Sequence, residues 1–359
     1  MGGVGIYIHI PFCRAKCLYC DFVSFPAKQN SPKLTAYSQA LLQELTQCEE
    51  LNNAQIETIF IGGGTPTTLP PAFLCEILRF LSGKNCAPQM EITIESNPES
   101  LDIHMLRALL YEGVNRLSFG LQAVQDNLLR KIGRKHSFHN FMEVYNSTIV
   151  VGFDNINVDL MYALPTQTLD NWNESLEVVS ALKPQHISAY ALTIEEPGPG
   201  ALEPLGPEAD RQMYYLCKQI LKAKGYAHYE ISNFAKEGYA CRHNIKYWAR
   251  EDYLGFGLSA HSFFNGRRYR NTNDLDKYIQ ECGKIKEDVF VLSEKDATEE
   301  LIFLGLRMMQ GIPEAALGCR YENTIQEMLQ AKLLKRSNGM LMLTDKGIDI
   351  SNIVMGAFL

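Results

Sequence analysis

Three cysteines close to the N-terminus form the pattern in this sequence that is most directly tied to chemistry. Cys13, Cys17 and Cys20 are spaced C-x3-C-x2-C and follow a short apolar run. Three thiolates this close together can bind three irons of one cube-shaped [4Fe–4S] cluster, which leaves the fourth iron open to a small chelating ligand. A structural zinc site usually has four protein ligands, and the candidate for the fourth, His9, lies inside a predicted strand. The pattern therefore favours a cluster, with zinc or unpaired thiols as the alternatives.

Further polar or glycine-rich positions follow one predicted strand after another. A Gly-Gly-Gly-Thr segment at residues 62–65 follows the second strand, Glu95 ends the third, Gln122 follows the fourth and Asp159 lies near the end of the fifth. In a β/α barrel the C-terminal ends of the strands face one common site. These positions are easier to explain with a barrel than with an open sheet, although strand ends can be polar for no functional reason.

The first two thirds of the chain alternate strand-like and helix-like segments. Helical patterns with one apolar face, such as Leu34, Tyr37, Leu41 and Leu45, lie between short strands rich in Ile, Val, Leu and Phe. Six β-α repeats predict an α/β fold with a parallel sheet and helices on its outer side. The sheet is either a barrel, complete or partial, or a doubly wound open sheet. The predicted strands cover residues 6–10, 58–61, 91–95, 116–120, 155–160 and 186–191.

Beyond these repeats the pattern changes. Residues 195–206 are rich in Pro and Gly and predict a long loop, and a helix is expected at about residues 210–224. Asn265 and Gly266 predict a tight hairpin.

The C-terminal part reads as a separate small module. Amphipathic helices are expected at residues 298–309 and 324–333, followed by a turn at 337–339 and a strand at 340–343. Helices followed by a hairpin are typical of a winged-helix-like domain. We therefore divide the chain into residues 1–225, a connecting region at 226–290 and a C-terminal domain at 291–359.

The composition is that of an ordinary soluble globular protein. Hydrophobic residues make up 46% and charged residues 21% of the 359 residues, with a formal net charge of −7, which excludes a disordered or collagen-like chain. The mild acidity argues against a protein whose main task is to bind nucleic acid. No apolar stretch approaches the ~20 residues that span a bilayer, and no signal peptide is visible. We therefore expect the ten cysteines in a reducing compartment and predict a cytoplasmic protein without an integral membrane anchor.

Several of these segments together resemble the radical S-adenosylmethionine superfamily. They are the run from Tyr7 to Cys13, the cysteine motif itself and the Gly-Gly-Gly-Thr-Pro segment at residues 62–66. The resemblance covers nearly the whole chain and is strongest for the branch that contains oxygen-independent coproporphyrinogen III oxidases and HemW-type heme chaperones. It implies a partial (β/α)6 barrel of the TIM type followed by a small winged-helix-like domain. It also implies a [4Fe–4S] cluster and S-adenosylmethionine as cofactors.

The resemblance also assigns roles to individual residues. Cys13, Cys17 and Cys20 would bind the cluster, and the methionine amine and carboxylate of the cofactor would chelate its open iron. Tyr7 is expected beside the cofactor, and Tyr19 near its adenine.

The other expected cofactor contacts lie further along the chain. Gly63, Gly64 and Thr65 resemble the segment that meets the methionine ammonium, where glycine lets the backbone approach closely. An arginine can pair with a carboxylate, while acids and amides can satisfy ammonium and ribose hydroxyl groups. Two of these residues have ordinary alternatives, since Glu95 could cap the next helix and Arg134 could be a solvated charge. The remaining contacts of the branch are matched in type and order by Glu95, Gln122, Arg134 and Asp159.

Two features distinguish the branches of the family. The porphyrinogen oxidases carry a further cysteine two positions after the third cluster cysteine, where this chain has Phe22. They also have a substantial segment ahead of the cluster, where this chain has twelve residues before Cys13. Both departures weaken the oxidase interpretation.

The second distinguishing feature is the pattern H-N-x-x-Y-W within residues 241–248, which resembles the signature of the heme chaperones. An imidazole can ligate heme iron, and aromatic rings can pack on a flat macrocycle. His243 is therefore the predicted heme ligand. The alternatives are a structural role for this histidine, heme ligation by His261 and thiolate ligation by Cys241.

These features predict a heme chaperone that binds heme and delivers it to hemoprotein acceptors. The resemblance implies that the acceptors are membrane respiratory enzymes, so peripheral membrane contact is compatible with the absence of an anchor. One alternative is an oxygen-independent coproporphyrinogen III dehydrogenase, in which a 5′-deoxyadenosyl radical abstracts hydrogen from a propionate and decarboxylation follows. Another is a radical enzyme with a different substrate. We predict no catalytic residue, leave open whether the protein is an enzyme, and expect no nucleic acid partner because the C-terminal domain has no dense basic helix.

Overall fold

The computed structural model describes residues 3–28, 31–194 and 201–359, so half of the loop predicted at 195–206 lies outside the described residues. The strands are β1 (Val4–Ile10), β2 (Phe12–Cys13), β3 (Phe25–Pro26), β4 (Ile56–Gly63), β5 (Cys86–Ser96), β6 (Arg116–Gln122), β7 (Ile156–Tyr162), β8 (His186–Ala191), β9 (Ala227–Glu230), β10 (Asn233–Ala235), β11 (Tyr253–Phe256), β12 (His261–Phe264), β13 (Arg267–Asn271), β14 (Lys286–Val291), β15 (Ile312–Pro313), β16 (Leu334–Ser337) and β17 (Met340–Leu343). The helices are α1 (Pro32–Gln47), α2 (Glu50–Asn53), α3 (Pro71–Ser82), α4 (Ile103–Tyr111), α5 (Asp126–Lys131), α6 (Phe138–Val151), α7 (Leu169–Ala181), α8 (Pro207–Ala223), α9 (Arg242–Trp248), α10 (Leu275–Glu281), α11 (Glu294–Gly305), α12 (Glu322–Gln330), α13 (Asp345–Asp349) and α14 (Ser351–Gly356).

A twelve-stranded sheet organises the fold, in the order β14-β13-β12-β11-β1-β4-β5-β6-β7-β8-β10-β9. Neighbouring strands from β1 through β4, β5, β6 and β7 to β8 are parallel, which confirms the predicted series of β-α repeats. Strand β11 adds to β1 in parallel, and antiparallel strands extend the sheet at both ends. Because β14 and β9 lie at opposite ends of this order, the sheet does not close on itself, as expected for a partial barrel.

The helices cover the sheet with the faces that their sequence periodicity predicts. Leu34, Tyr37, Leu41 and Leu45 of α1 are all buried, as residues three and four apart on one helix face should be. Helix α4 ends where Gly113 adopts a positive φ of 89°, a conformation that glycine adopts without steric cost. Apolar residues on these faces stabilise the fold mainly because they are removed from water.

The connecting region at residues 226–290 contributes strands to both ends of the sheet. At one end, β12 and β13 form the predicted hairpin, and its turn residues Asn265 and Gly266 both have positive φ. That conformation matches the strand twist in a two-residue hairpin. At the other end, β10 pairs with β8, and β9 pairs with β10. The domain boundaries at 225/226 and 290/291 stay predictions.

The C-terminal part has two helices followed by a hairpin, within a three-stranded sheet of order β15-β17-β16. Helix α11 was expected at residues 298–309, but it begins at Glu294 because Ser293 and Asp296 form a capping box there. Its buried side chains continue the core of the large sheet without a break. Arg307 also forms an ion pair with the buried carboxylate of Glu230 at the end of β9 (3.3 Å), so this part packs directly on the barrel.

None of the described helices combines the length and the apolar character needed to cross a bilayer.

Candidate active site and its cofactor cavity

A cavity of about 310 Å³ lies against the polar face of strands β4 to β8. It brings together residues from the loop after β1, the end of β4, the four further strands β5 to β8 and the segment after α5. All predicted site residues except Tyr7 and His243 line it. Those residues are Cys13, Cys17, Tyr19, Cys20, Gly63, Gly64, Thr65, Glu95, Gln122, Arg134 and Asp159.

Cys13 is the last residue of β2, and Cys17 and Cys20 lie on the loop between β2 and β3, which packs on the segment after α5. The amide of Leu18 donates to the carbonyl of Ile132 (3.1 Å), and Arg134 Nη1 lies 3.7 Å from Cys17 Sγ. Cys13 Sγ accepts from the hydroxyl of Thr65 (3.4 Å). Within the described residues, no three His, Cys, Asp or Glu side chains are close enough to bind a single metal ion. A cube-shaped cluster needs no such convergence, because each of its irons takes its own thiolate.

The glycines at the end of β4, Gly63 and Gly64, are required by packing against the start of the cluster loop. A Cβ on Gly64 would lie 2.7 Å from the carbonyl oxygen of Phe12, and a Cβ on Gly63 would lie 2.5 Å from the ring of His9. Gly63 also has a φ of 107°, which favours glycine. Close approach to the methionine ammonium was the predicted reason for these glycines and stays a prediction.

Two half-buried carboxylates, Glu95 and Asp159, face the same cavity. Burial, and then the charge of Asp159, raise the pKa of Glu95 from 4.5 to about 7, and burial also raises the pKa of Asp159. Glu95 Oε2 accepts from the amide of Gly63 (3.1 Å), and Asp159 Oδ1 accepts from Asn157 Nδ2 (2.7 Å). The alternative in which Glu95 caps the next helix is wrong, because Asn97 is the N-cap residue of the turn that follows. The paired negative charges favour a cationic ligand.

Arg134 is buried rather than solvated, with 8% of its surface exposed. Its Nη2 donates to the carbonyl of Gly120, but its Nε has no hydrogen-bond partner among the described residues. An unpartnered buried guanidinium nitrogen is costly unless a ligand accepts from it. Gln122, the last residue of β6, has a φ of 76°, a strained conformation for a residue other than glycine.

The structure separates Tyr7 from this group of residues. Its hydroxyl pairs with His9 Nδ1 (2.9 Å), and its side chain lines a second cavity rather than the one that contains the cysteines. Tyr7 therefore does not line the cavity in which we expected it to lie beside the cofactor. The role of Tyr7 stays a prediction.

His243, the predicted heme ligand, is completely buried on α9. Its Nδ1 pairs with the hydroxyl of Thr58 (2.8 Å) and its Nε2 with the hydroxyl of Tyr247 (2.8 Å). Burial, and then the charge of Lys246, lower its pKa to about 3, so the ring is neutral. In this arrangement both nitrogens are engaged within the protein, which matches the alternative of a structural histidine.

The N-terminus of α9 is fixed by a carboxylate from the barrel. The amides of Arg242 and His243 each donate to Glu91 on β5 (3.0 Å), and an acid at a helix N-terminus is stabilising. Cys241 is buried there, with its Sγ 3.7 Å from Glu91 Oε1. A carboxylate beside this sulfur does not favour a thiolate ligand.

Sequence reasoning missed several polar residues of the cavity, although a signal for them exists. Strand β6 reads Arg-Leu-Ser-Phe-Gly-Leu-Gln, and every second residue from Arg116 to Gln122 lines the cavity while the leucines and the phenylalanine enter the core. Strands β7 and β8 alternate in the same way. This period of two marks a sheet with one polar inner face. The lining residues missed include Arg116, Ser118, Asn157, His186 and Ser188.

Comparison with known proteins identifies the family and the fold of this chain. Residues 7–179 match the Radical SAM superfamily, and residues 292–350 match the HemN C-terminal domain. The structure of coproporphyrinogen III oxidase (HemN) from Escherichia coli, a radical SAM enzyme, superimposes with a TM-score of 0.85. The match covers 99% of this chain and 90% of that chain at 22% sequence identity, so it shows a shared fold.

Curated relatives are similar along nearly the whole sequence. The protein named heme chaperone HemW in Bacillus subtilis is 34% identical over 98% of this chain and 98% of its own. The protein of the same name in Lactococcus lactis is 34% identical over 98% of this chain and 96% of its own. The one in Escherichia coli is 32% identical over 92% of this chain and 89% of its own. Identity above 30% across both full lengths shows that the chain belongs to the HemW family of the radical SAM superfamily.

Proposed function

We propose that the protein is a heme chaperone, which binds heme and delivers it to hemoprotein acceptors. The observation that carries the proposal is the 34% identity across 98% of both chains with a relative named heme chaperone HemW. The cluster loop supports the same branch, because the exposed Phe22 stands where the porphyrinogen oxidases carry a further cysteine.

We further propose that the cavity holds a [4Fe–4S] cluster and S-adenosylmethionine. Cys13, Cys17 and Cys20 would each bind one iron. The unpartnered Nε of Arg134 is suited to the carboxylate of the methionine group. The two carboxylates, Glu95 and Asp159, suit its ammonium group and ribose hydroxyls. When bound, the cluster and its cofactor together supply one-electron radical chemistry.

The chain's own residues have three tasks in this arrangement. The thiolates fix the cluster, while Arg134 and the carboxylates orient the cofactor and balance its charges. The remaining predicted contacts, Tyr19, Gln122 and the segment from Gly63 to Thr65, would enclose it and exclude water.

Partners and location follow from the same proposal. The acceptors would be hemoproteins, with membrane respiratory enzymes as the class that the family implies, reached by peripheral contact. We propose a cytoplasmic location, supported by ten cysteines that are all free thiols, as expected in a reducing compartment. No nucleic acid partner is proposed.

The test is an anaerobic heme titration of the cluster-reconstituted protein, followed by its Soret absorbance. Saturable binding near one heme per chain is expected. A protein that binds no heme specifically would refute the chaperone proposal. In parallel, incubation with coproporphyrinogen III, reductant and S-adenosylmethionine should give no protoporphyrinogen IX, whereas turnover would make the chain an oxidase. Formation of 5′-deoxyadenosine without porphyrin turnover would indicate a radical enzyme with another substrate.

A further inference from the structure

The cavity that contains the cysteines extends beyond the residues expected to hold the cofactor. Two of those residues, Glu95 and Gln122, stand at the carboxyl ends of β5 and β6. Arg116, the first residue of β6, lines the same cavity. Six residues at about 3.3 Å per residue place the backbone of Arg116 about 20 Å from that of Gln122 along the strand. The amino-terminal end of the cavity is therefore a separate space, which we call the lumen floor and define by Arg116, His186 and Asn244.

Arg116 is buried at the lumen floor without a partner. Only 2% of its surface is exposed, and a guanidinium stays charged in proteins. Within the described residues its Nε has no hydrogen-bond partner, and its side chain forms no ion pair. A buried charge without a partner is costly, whereas an anion that pairs with it offsets that cost.

The acidic groups that act on Arg116 are engaged elsewhere. They include Glu91 and Asp159. Glu91 accepts from two backbone amides at the N-terminus of α9 (3.0 Å each). Asp159 accepts from Asn157 Nδ2 (2.7 Å), and burial raises the pKa of Asp159, which weakens it as a charge partner. Arg116 therefore retains the capacity to pair with a further anion.

A second polar side chain of the lumen floor is also free. Asn244, half-buried on α9, lines the cavity, and its amide forms no side-chain hydrogen bond to the described residues. His186, by contrast, is engaged at both nitrogens, by Asn157 Oδ1 (2.6 Å) and by the Tyr229 hydroxyl (2.9 Å). Burial lowers the pKa of His186 well below its usual value, so this ring is neutral. Of the three residues that define the floor, Arg116 and Asn244 can bind a ligand without breaking a contact within the protein.

We propose that the lumen floor binds an oxyanion, the carboxylate or phosphate group of a small polar ligand other than the cofactor. Arg116 is its charge partner, because the planar guanidinium matches the geometry of both oxyanions. Asn244 donates a hydrogen bond to it from Nδ2. The site involves neither heme nor the cysteines, so it goes beyond the proposed function and does not depend on it.

The experiment is a calorimetric titration of the full-length, cluster-reconstituted protein without S-adenosylmethionine. The probes are inorganic phosphate and, separately, acetate, at constant ionic strength. The wild type should bind one equivalent saturably, and Arg116→Met should weaken binding ~10–100-fold because a hydrogen-bonded charge is lost. Arg116→Lys keeps the charge and should lose less, and Asn244→Ala should weaken binding about two- to tenfold. Lys16→Met, which removes an exposed cation lining the same cavity, is the matched control and should bind as the wild type does.

Each outcome supports or overturns the inference. Binding of phosphate indicates a phosphate-bearing ligand, and binding of acetate indicates a carboxylate. Wild type that binds neither probe, or Arg116→Met with unchanged affinity, overturns the inference. Loss of binding in Arg134→Met with binding intact in Arg116→Met would place the anion in the subsite proposed for the cofactor's carboxylate and would also overturn it. Equal loss in Lys16→Met and Arg116→Met would indicate an adventitious ion only.

Two controls accompany the titrations. Iron–sulfur absorbance and the thermal midpoint report whether each variant is folded, and Asn244→Ala tests the site independently should Arg116→Met not fold. No heme is present in these titrations, so their failure leaves the proposed function to its own test.

Discussion

Replacement of Glu95 by glutamine should stabilise the protein in the absence of cofactor, and more so at high pH. Burial and the charge of Asp159 raise the pKa of Glu95 from 4.5 to about 7. The protonated carboxyl therefore contributes stability that is fully present below about pH 4.5 and is lost as the pH rises through 7. One pKa unit corresponds to about 1.4 kcal/mol, so above pH 7 the ionised carboxylate costs the folded state about 3 kcal/mol. About 2.5 kcal/mol of this develops between pH 5 and pH 8.

The assay is thermal unfolding of cluster-free wild type and Glu95→Gln at pH 5 and pH 8. An unfolding entropy of about 2.1 cal/mol/K per residue over 359 residues converts that difference to about 3 °C. The thermal midpoint of Glu95→Gln should therefore exceed that of the wild type by about 3 °C more at pH 8 than at pH 5. Glu76→Gln, which removes an exposed carboxylate from α3, is the control and should behave alike at both pH values. An equal advantage of Glu95→Gln at the two pH values would refute the reasoning.

Three further perturbations test other parts of the structure. Cys17→Ser should abolish cluster reconstitution because one iron loses its thiolate, and a full iron and sulfide content would contradict that role. Gly64→Ala should destabilise the fold by about 1–3 kcal/mol, because the added Cβ would lie 2.7 Å from a backbone atom. Gly206→Ala is the control, since its Cβ would have no atom within 4 Å. Equal thermal midpoints of the two variants would refute this reasoning. Arg307→Met should cost about 3 kcal/mol because it leaves the buried carboxylate of Glu230 without its charge partner. Limited proteolysis should then release the C-terminal part sooner, and an unchanged rate would show that the ion pair does not fasten it.

Local spacing explains why much of the fold was predictable. The six parallel strands, the helices between them and the Asn265–Gly266 hairpin all depend on apolar periodicity and turn residues that act within a few positions. The start of α11 was expected too late because the apolar pattern begins inside the helix, whereas the capping pair, Ser293 and Asp296, sets its first turn. The polar inner face of β6 to β8 was missed because these strands were expected to be apolar on both faces.

The sequence by itself determined the candidate cluster ligands, the glycines after β4 and the family, because each depends on residue types at fixed short spacings. Only the tertiary structure showed what surrounds the candidate histidines. His243 lies in the family signature, yet its ring nitrogens are occupied by Thr58, 185 residues away along the chain, and by Tyr247. His261 has an unremarkable sequence context but lines an aromatic cavity. Burial and hydrogen bonding between distant segments arise only when the sheet assembles, and no local pattern encodes them.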